Sequence, residues 1–98
     1  MKLEEVKQKL ENGKHPVVVN FVRQDHCKVF TIHFLKGMIM SDHKTNKEST
    51  LYVLNGQITF NLAGHSEQLS SYSEINIPPG LIHNIICTED AICLLIQN

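Results

Sequence analysis

Hydrophobic positions along the chain change period once, near residue 16. Before that point Leu3, Val6, Lys7 and Leu10 recur at helical spacing, with Glu4 and Glu5 in the first turn and Gly13 placed as a stop. The spacing predicts a short helix over about residues 2–12, whose narrow apolar stripe suits it to lie across another layer. From Val17 onward the pattern is that of strands. Val17–Val22 is mostly β-branched, Arg23–His26 reads as a turn, and Cys27–Leu35 is a second strand closed by Lys36-Gly37. Thr50–Leu54, Gln57–Leu62, Glu74–Ile77, Ile82–Cys87 and Ala91–Ile96 follow at short intervals. Asn55-Gly56 between two such runs signals a type I′ hairpin, because both central positions of that turn need a positive φ. Ala63-Gly64-His65-Ser66 reads as another turn, Pro78-Pro79-Gly80 as a strand stop, and Thr88-Glu89-Asp90 as the break between the last two strands. Many short strands separated by turn signals predict one antiparallel β domain, a sandwich or barrel, over about residues 16–97.

Three of these runs are apolar on both faces: Val29–Leu35, Leu51–Leu54 and Ile92–Ile96. Such strands need two covers. One is the interior. The other is a second sheet, the N-terminal helix or another subunit, and for so short a chain a homodimer is the expectation.

Composition narrows the function classes. The 98 residues are 42% hydrophobic and carry 9 Lys+Arg against 10 Asp+Glu, so a net charge of −1 offers no attraction for nucleic acid or an anionic membrane surface. No apolar run approaches the ~20 residues of a membrane span, and residues 1–12 lack the apolar stretch of a secretory signal, so a cytoplasmic location is expected. Cys27, Cys87 and Cys93 include no zinc-type pair and are expected as reduced thiols. No Ser-His-Asp set or phosphate-cradling glycine loop is present. Six histidines are the compositional oddity. His15, His26 and His65 fall beside a proline, in a turn and at a hairpin tip, where solvent accounts for them. His33, His43 and His83 remain.

Two stretches place His43 and His83. The first runs Gly37-x5-His43-Lys44-Thr45-x3-Ser49-x6-Gly56, and the second Tyr72-x5-Pro78-Pro79-Gly80-x2-His83-x3-Cys87. Their spacing resembles the two motifs of the cupin family, G-x5-H-x-H-x3,4-E-x6-G and G-x5-P-x-G-x2-H-x3-N, with agreement at Gly37, His43, Gly56, Pro78, Gly80 and His83. The likeness covers about half the chain, Gly37 to Cys87. It implies an all-β double-stranded β-helix, the cupin or jelly-roll barrel, with the short α-helix packed outside.

Metal-binding cupins use two His and a Glu from the first motif and one His from the second. Here Thr45 replaces the second His, Ser49 replaces the Glu, and Cys87 replaces the final Asn. Neutral hydroxyls are poor donors to a transition metal, which is normally held by three or four ligands. The leading expectation is therefore a cupin that binds a small organic molecule without tightly bound metal. His43 and His83 would serve as polar anchors, with Thr45, Ser49, Ile85 and Cys87 lining the site. The rival is a metal-dependent enzyme in which His43 and His83 hold Zn, Ni, Fe or Mn with help from Glu48, brought inward by a bulge, or from His33. A third reading is a structural or regulatory homodimer whose outer sheet is the functional surface. Whether the chain is an enzyme stays open at the level of sequence.

Overall fold

The computed structural model describes residues 2–98. One helix and seven strands follow in chain order: α1 (Leu3–Asn12), β1 (Val17–Gln24), β2 (Cys27–Phe34), β3 (Ile39–His43), β4 (Ser49–Leu62), β5 (His65–Ser70), β6 (Glu74–Ile77) and β7 (His83–Gln97). Lys2 makes no side-chain cap, and the helix is ten residues long. A helix that short owes its stability to packing, here of the buried Val6 and Leu10 against β1 and β2. Gly13 ends it in an extended conformation, φ −112°, rather than the left-handed one that a terminal glycine leads one to expect, and donates its N–H to the Lys9 carbonyl.

Two long strands organise everything else. β4 and β7 pair antiparallel from Ser49 opposite Gln97 to Leu62 opposite His83, with register shifts between Val53 and Ile58. On one side of that interruption they carry β2 and β1 beyond β7 and β6 beyond β4. On the other side they carry β3 beyond β7 and β5 beyond β4. The result is two half-sheets joined through a pair of kinked strands, the jelly-roll barrel that the sequence predicts. Between the half-sheets lies the core, in which Leu51, Val53, Ile58, Phe60 and Cys93 are wholly buried.

The kink corrects two expectations. Asn55-Gly56 is not a hairpin but the bulge within β4, and Thr88-Glu89-Asp90 is not a break but the middle of β7. Both turn signals mark one physical feature, since Gly56 has φ +89° and its Cα passes so close to β7 that a Cβ would lie 2.1 Å from the Asp90 carbonyl oxygen. Asn55 accepts a hydrogen bond through Oδ1 from the Ile92 N–H (3.1 Å), restoring a ladder contact that the bulge removes. The two-residue hairpin sits further on, at Ala63-Gly64 between β4 and β5, with φ +50° and +79°. Strand β5, which carries little apolar alternation, and β3 were not among the predicted strands.

Candidate functional site at the open end of the barrel

The chain crosses between half-sheets twice at the end of the barrel opposite the kink, at residues 44–48 from β3 to β4 and at residues 78–82 from β6 to β7. The crossings lie side by side, tied by a hydrogen bond from the Gly80 N–H to the Thr45 carbonyl (2.8 Å). Each crossing has a histidine at its edge. His43 ends β3, His83 begins β7, and the two are register partners whose ring centroids stand 4.2 Å apart at 59°.

The environments of the two rings differ. His43 is exposed, whereas His83 is 4% exposed and lies over the Phe60 ring, centroids 5.6 Å apart and near parallel at 20°. Burial, first, holds the His83 pKa below its ordinary 6.5; the nearby His43 pushes the same way, while the hydrogen bond to Leu81 opposes both. His83 is therefore neutral at pH 7. A carbonyl can only accept, so the 3.2 Å contact between His83 Nδ1 and the Leu81 oxygen puts the proton on Nδ1 and leaves Nε2 bare. His43 repeats this arrangement, its Nδ1 donating to the Ser41 carbonyl at 3.3 Å. In the neutral state the pair thus offers two bare Nε2 acceptors, each ring oriented by a backbone carbonyl two residues earlier in the chain.

The other sequence-predicted residues fall around the pair without joining it as ligands. Thr45 and Ser49 stand in or beside the first crossing, but both hydroxyls donate to the Lys47 carbonyl, at 2.7 and 3.4 Å. Ile85 and Cys87 continue the inward face of β7 beneath His83 and are buried, at 2% and 1% exposure. Burial, chiefly, raises the Cys87 thiol to about 11, and its Sγ–H donates to the Glu89 carbonyl (2.9 Å), so it is no thiolate at neutral pH. No bulge brings Glu48 inward: it is exposed and accepts from Asn76 Nδ2 (3.0 Å). His33 lies on the outer face of the other half-sheet, where Nε2 meets Thr31 Oγ1 at 3.0 Å. The reason is parity, because His33 pairs with Val17 and Ile92 while the alternate residues Ile32 and Phe34 fill the interior.

Among the described residues no three of His, Cys, Asp and Glu come together as a metal-binding group. Two imidazoles flanked by hydroxyls that already donate elsewhere do not fit a tightly held transition metal, which needs a third strong donor. Two features were not foreseen. One is the Phe60 ring beneath His83, whose place depends on the β4–β7 register. The other is a polar row on the outer face, in which Ser66 bonds Asn61, Asn61 bonds Asn84 (2.7 Å) and Asn84 bonds Asp42 (2.7 Å), running from β5 to β3. The row ties down Asp42, the residue before His43.

Neither a family model nor a curated protein sequence matches the chain. Solved structures do. An RmlC-like cupin from Shewanella frigidimarina is 20% identical over 88% of this chain and 78% of its own, with a TM-score of 0.81. The chain has the cupin fold. A cupin 2 conserved barrel domain protein from Leptotrichia buccalis covers 99% of the chain at 22% identity and a TM-score of 0.83, the chain spanning 46% of that protein. The DMSP lyase DddQ from Ruegeria pomeroyi has the same barrel, with 15% identity, 86% of this chain, 47% of its own and a TM-score of 0.80. At these identities the likeness carries the fold and not the chemistry.

Proposed function

We propose that this cupin-fold chain binds a small organic molecule at the open end of its barrel, without a tightly held metal. The observation that carries the reading is the His43–His83 pair, two facing rings whose Nδ1 atoms are both tied to backbone carbonyls. Such a pair accepts two hydroxyl or N–H donors from one ligand, and its geometry is set before the ligand arrives. The ligand sits across the crossings, against His43, Thr45 and the open pocket lined by Lys44, Thr45, Asn46 and Gly80. Ile85 and Cys87 make the apolar floor below His83, Ser49 the wall beside it. With Ile58 and Phe60 packed beneath, the site is shallow and favours a compact, polar compound.

Thermal-shift screening of a metabolite library tests this, with the His43→Ala/His83→Ala protein in parallel. The expected result is at least one compound that stabilises the native chain and not the double variant. Elemental analysis of untagged protein purified without chelator is expected to give far less than one metal per chain. Stoichiometric Zn, Ni, Fe or Mn, or hits that stabilise both proteins equally, would overturn the reading.

A further inference from the structure

Strand parity alone would keep His43 away from His83. Met40 pairs with Ile85, and both belong to the interior, Met40 half-buried against the core and Ile85 fully buried. Counted by alternation from Met40, the inward face of β3 passes through Asp42, which would stand opposite His83, while His43 would turn to the outer face. The observed register is different, because His43 and not Asp42 is the partner of His83. From Met40 to His43 the chain takes three steps along β3 for two along β7, from Ile85 to His83. Ser41 and Asp42 therefore oppose Asn84 together, as a β-bulge. The bulge reverses the parity of β3 at its last residue. It brings the two rings to 4.2 Å and sends the Asp42 side chain outward to Asn84. Its other member, Ser41, supplies the carbonyl that accepts from His43 Nδ1 at 3.3 Å.

A bulge leaves part of the ladder unpaired, and the outer polar row ends on this one. Its direction follows from Asp42, whose carboxylate only accepts. Asn84 presents Nδ2 to Asp42 Oδ1 (2.7 Å), which leaves its own Oδ1 to accept from Asn61 Nδ2 (2.7 Å). Asn61 Oδ1 accepts in turn from the Ser66 hydroxyl. Each amide is thus oriented by its neighbour, and the row follows the register, Ser66 opposite Asn61 and Asn61 opposite Asn84. It crosses β5, β4 and β7 in regular pairing and stops at the residue of β3 that is out of step. We propose that Asn84 and Asp42 are positioning residues for His43. The row clamps the bulge from the outer face, and the bulge holds the His43 ring against His83. Without the bulge a carboxylate would stand beside His83 in place of a second imidazole, and the pair of Nε2 acceptors would not exist. That the clamp serves binding rests on the reading of this pair as the ligand site.

Nuclear Overhauser contacts between the His43 and His83 ring protons test the clamp, recorded on the free protein at pH 7.5 with circular dichroism as the check on folding. The wild-type chain is expected to show them. Asn84→Ala and Asp42→Ala are expected to fold and to lose them, while His83 Nδ1, tied to Leu81 outside the bulge, keeps its signal. Asp42→Asn restores the contacts, because the amide retains an oxygen that accepts from Asn84. A row that only stiffens the sheet would lower the melting temperature of the alanine variants and leave the rings together. Should Asn84→Ala fail to fold, the two Asp42 variants decide, since that position is exposed. A wild type without the contacts, a folded alanine variant that keeps them, or a folded Asp42→Asn protein that loses them overturns the proposal. The contacts are read without any compound, so failure of the clamp is separable from failure of the ligand site.

Discussion

His83 couples the site to pH through a sign that follows from its surroundings. Its folded pKa is depressed below 6.5 by burial, so between the two values the unfolded chain binds the extra proton and the folded chain does not. Stability contributed by the neutral ring is complete above about pH 6.5 and is lost as pH falls toward the folded pKa; His33, also lowered by burial, adds with the same sign. Urea midpoints at pH 7.5 and 5.5 are expected to show a weaker fold at the lower pH, and His83→Gln a smaller drop than wild type. An equal or larger drop in the variant would assign the dependence elsewhere. The thiols give a second check. Burial pushes Cys87 up to about 11 and Cys93 up to about 12, while Cys27 is only partly covered. A thiol-reactive dye at pH 8 should label one cysteine in the native protein and three in denaturant; three native labels would contradict the packing of β7. At this scale the cupin-like spacing in the sequence singled out His43 and His83, which the two strand crossings set side by side. His33 was not placed, since a strand apolar on both faces conceals its parity until the β1–β2–β7 register is known.

Among the elements, local signals located irregularities more reliably than they named them. Asn55-Gly56 carries the residues of a hairpin turn but lies where two fourteen- and fifteen-residue strands bend together. A local pattern cannot distinguish a reversal from a bulge, because both need a positive φ and only the partner strand decides between them. Ala63-Gly64 is the reversal, and its alanine bears left-handed strain of about 1 kcal/mol. Ala63→Asn is expected to raise stability by up to about 1 kcal/mol in denaturant titrations, since asparagine tolerates that conformation and favours type I′ turns. Gly64→Ala, with nothing within 4 Å of the added methyl, should cost about 1 kcal/mol. Gly56→Ala should cost at least about 3 kcal/mol, because the methyl collides with backbone at Asp90 and Ala91. Equal costs at Gly56 and Gly64 would mean that the strands are not pressed together at the kink. Strand β5 escaped the sequence reading for a related reason: of its six residues only Leu69 is buried, so it is held by its ladder to β4 rather than by an apolar face.

At the scale of the whole molecule, the two-faced apolar strands identified in the sequence all take the barrel interior as one cover, and β2 has helix α1 as a second. Over β7 and β4 the outer face keeps Tyr52, Leu94 and Ile96 half-buried and Leu54 exposed. The fold was legible because alternation, turn residues and a crossing marked by Pro78-Pro79-Gly80 all agree with one barrel. The candidate site was legible only as far as its pair of histidines. Their role depends on which backbone carbonyls hold the rings, on the stacking of Phe60 and on the outward turn of Glu48, all of which arise from register between segments far apart in sequence. Across the similar barrels the fold is shared at 15–22% identity, so function has to be read from these few contacts. The most direct measurement is the imidazole nitrogen NMR spectrum of the protein at pH 7.5, with and without the compounds that raise its melting temperature. His83 is expected as a neutral ring protonated at Nδ1, with its Nε2 signal and that of His43 shifting together when a binding compound is added. A His83 ring protonated at Nε2, or compounds that bind without moving either signal, would contradict this arrangement.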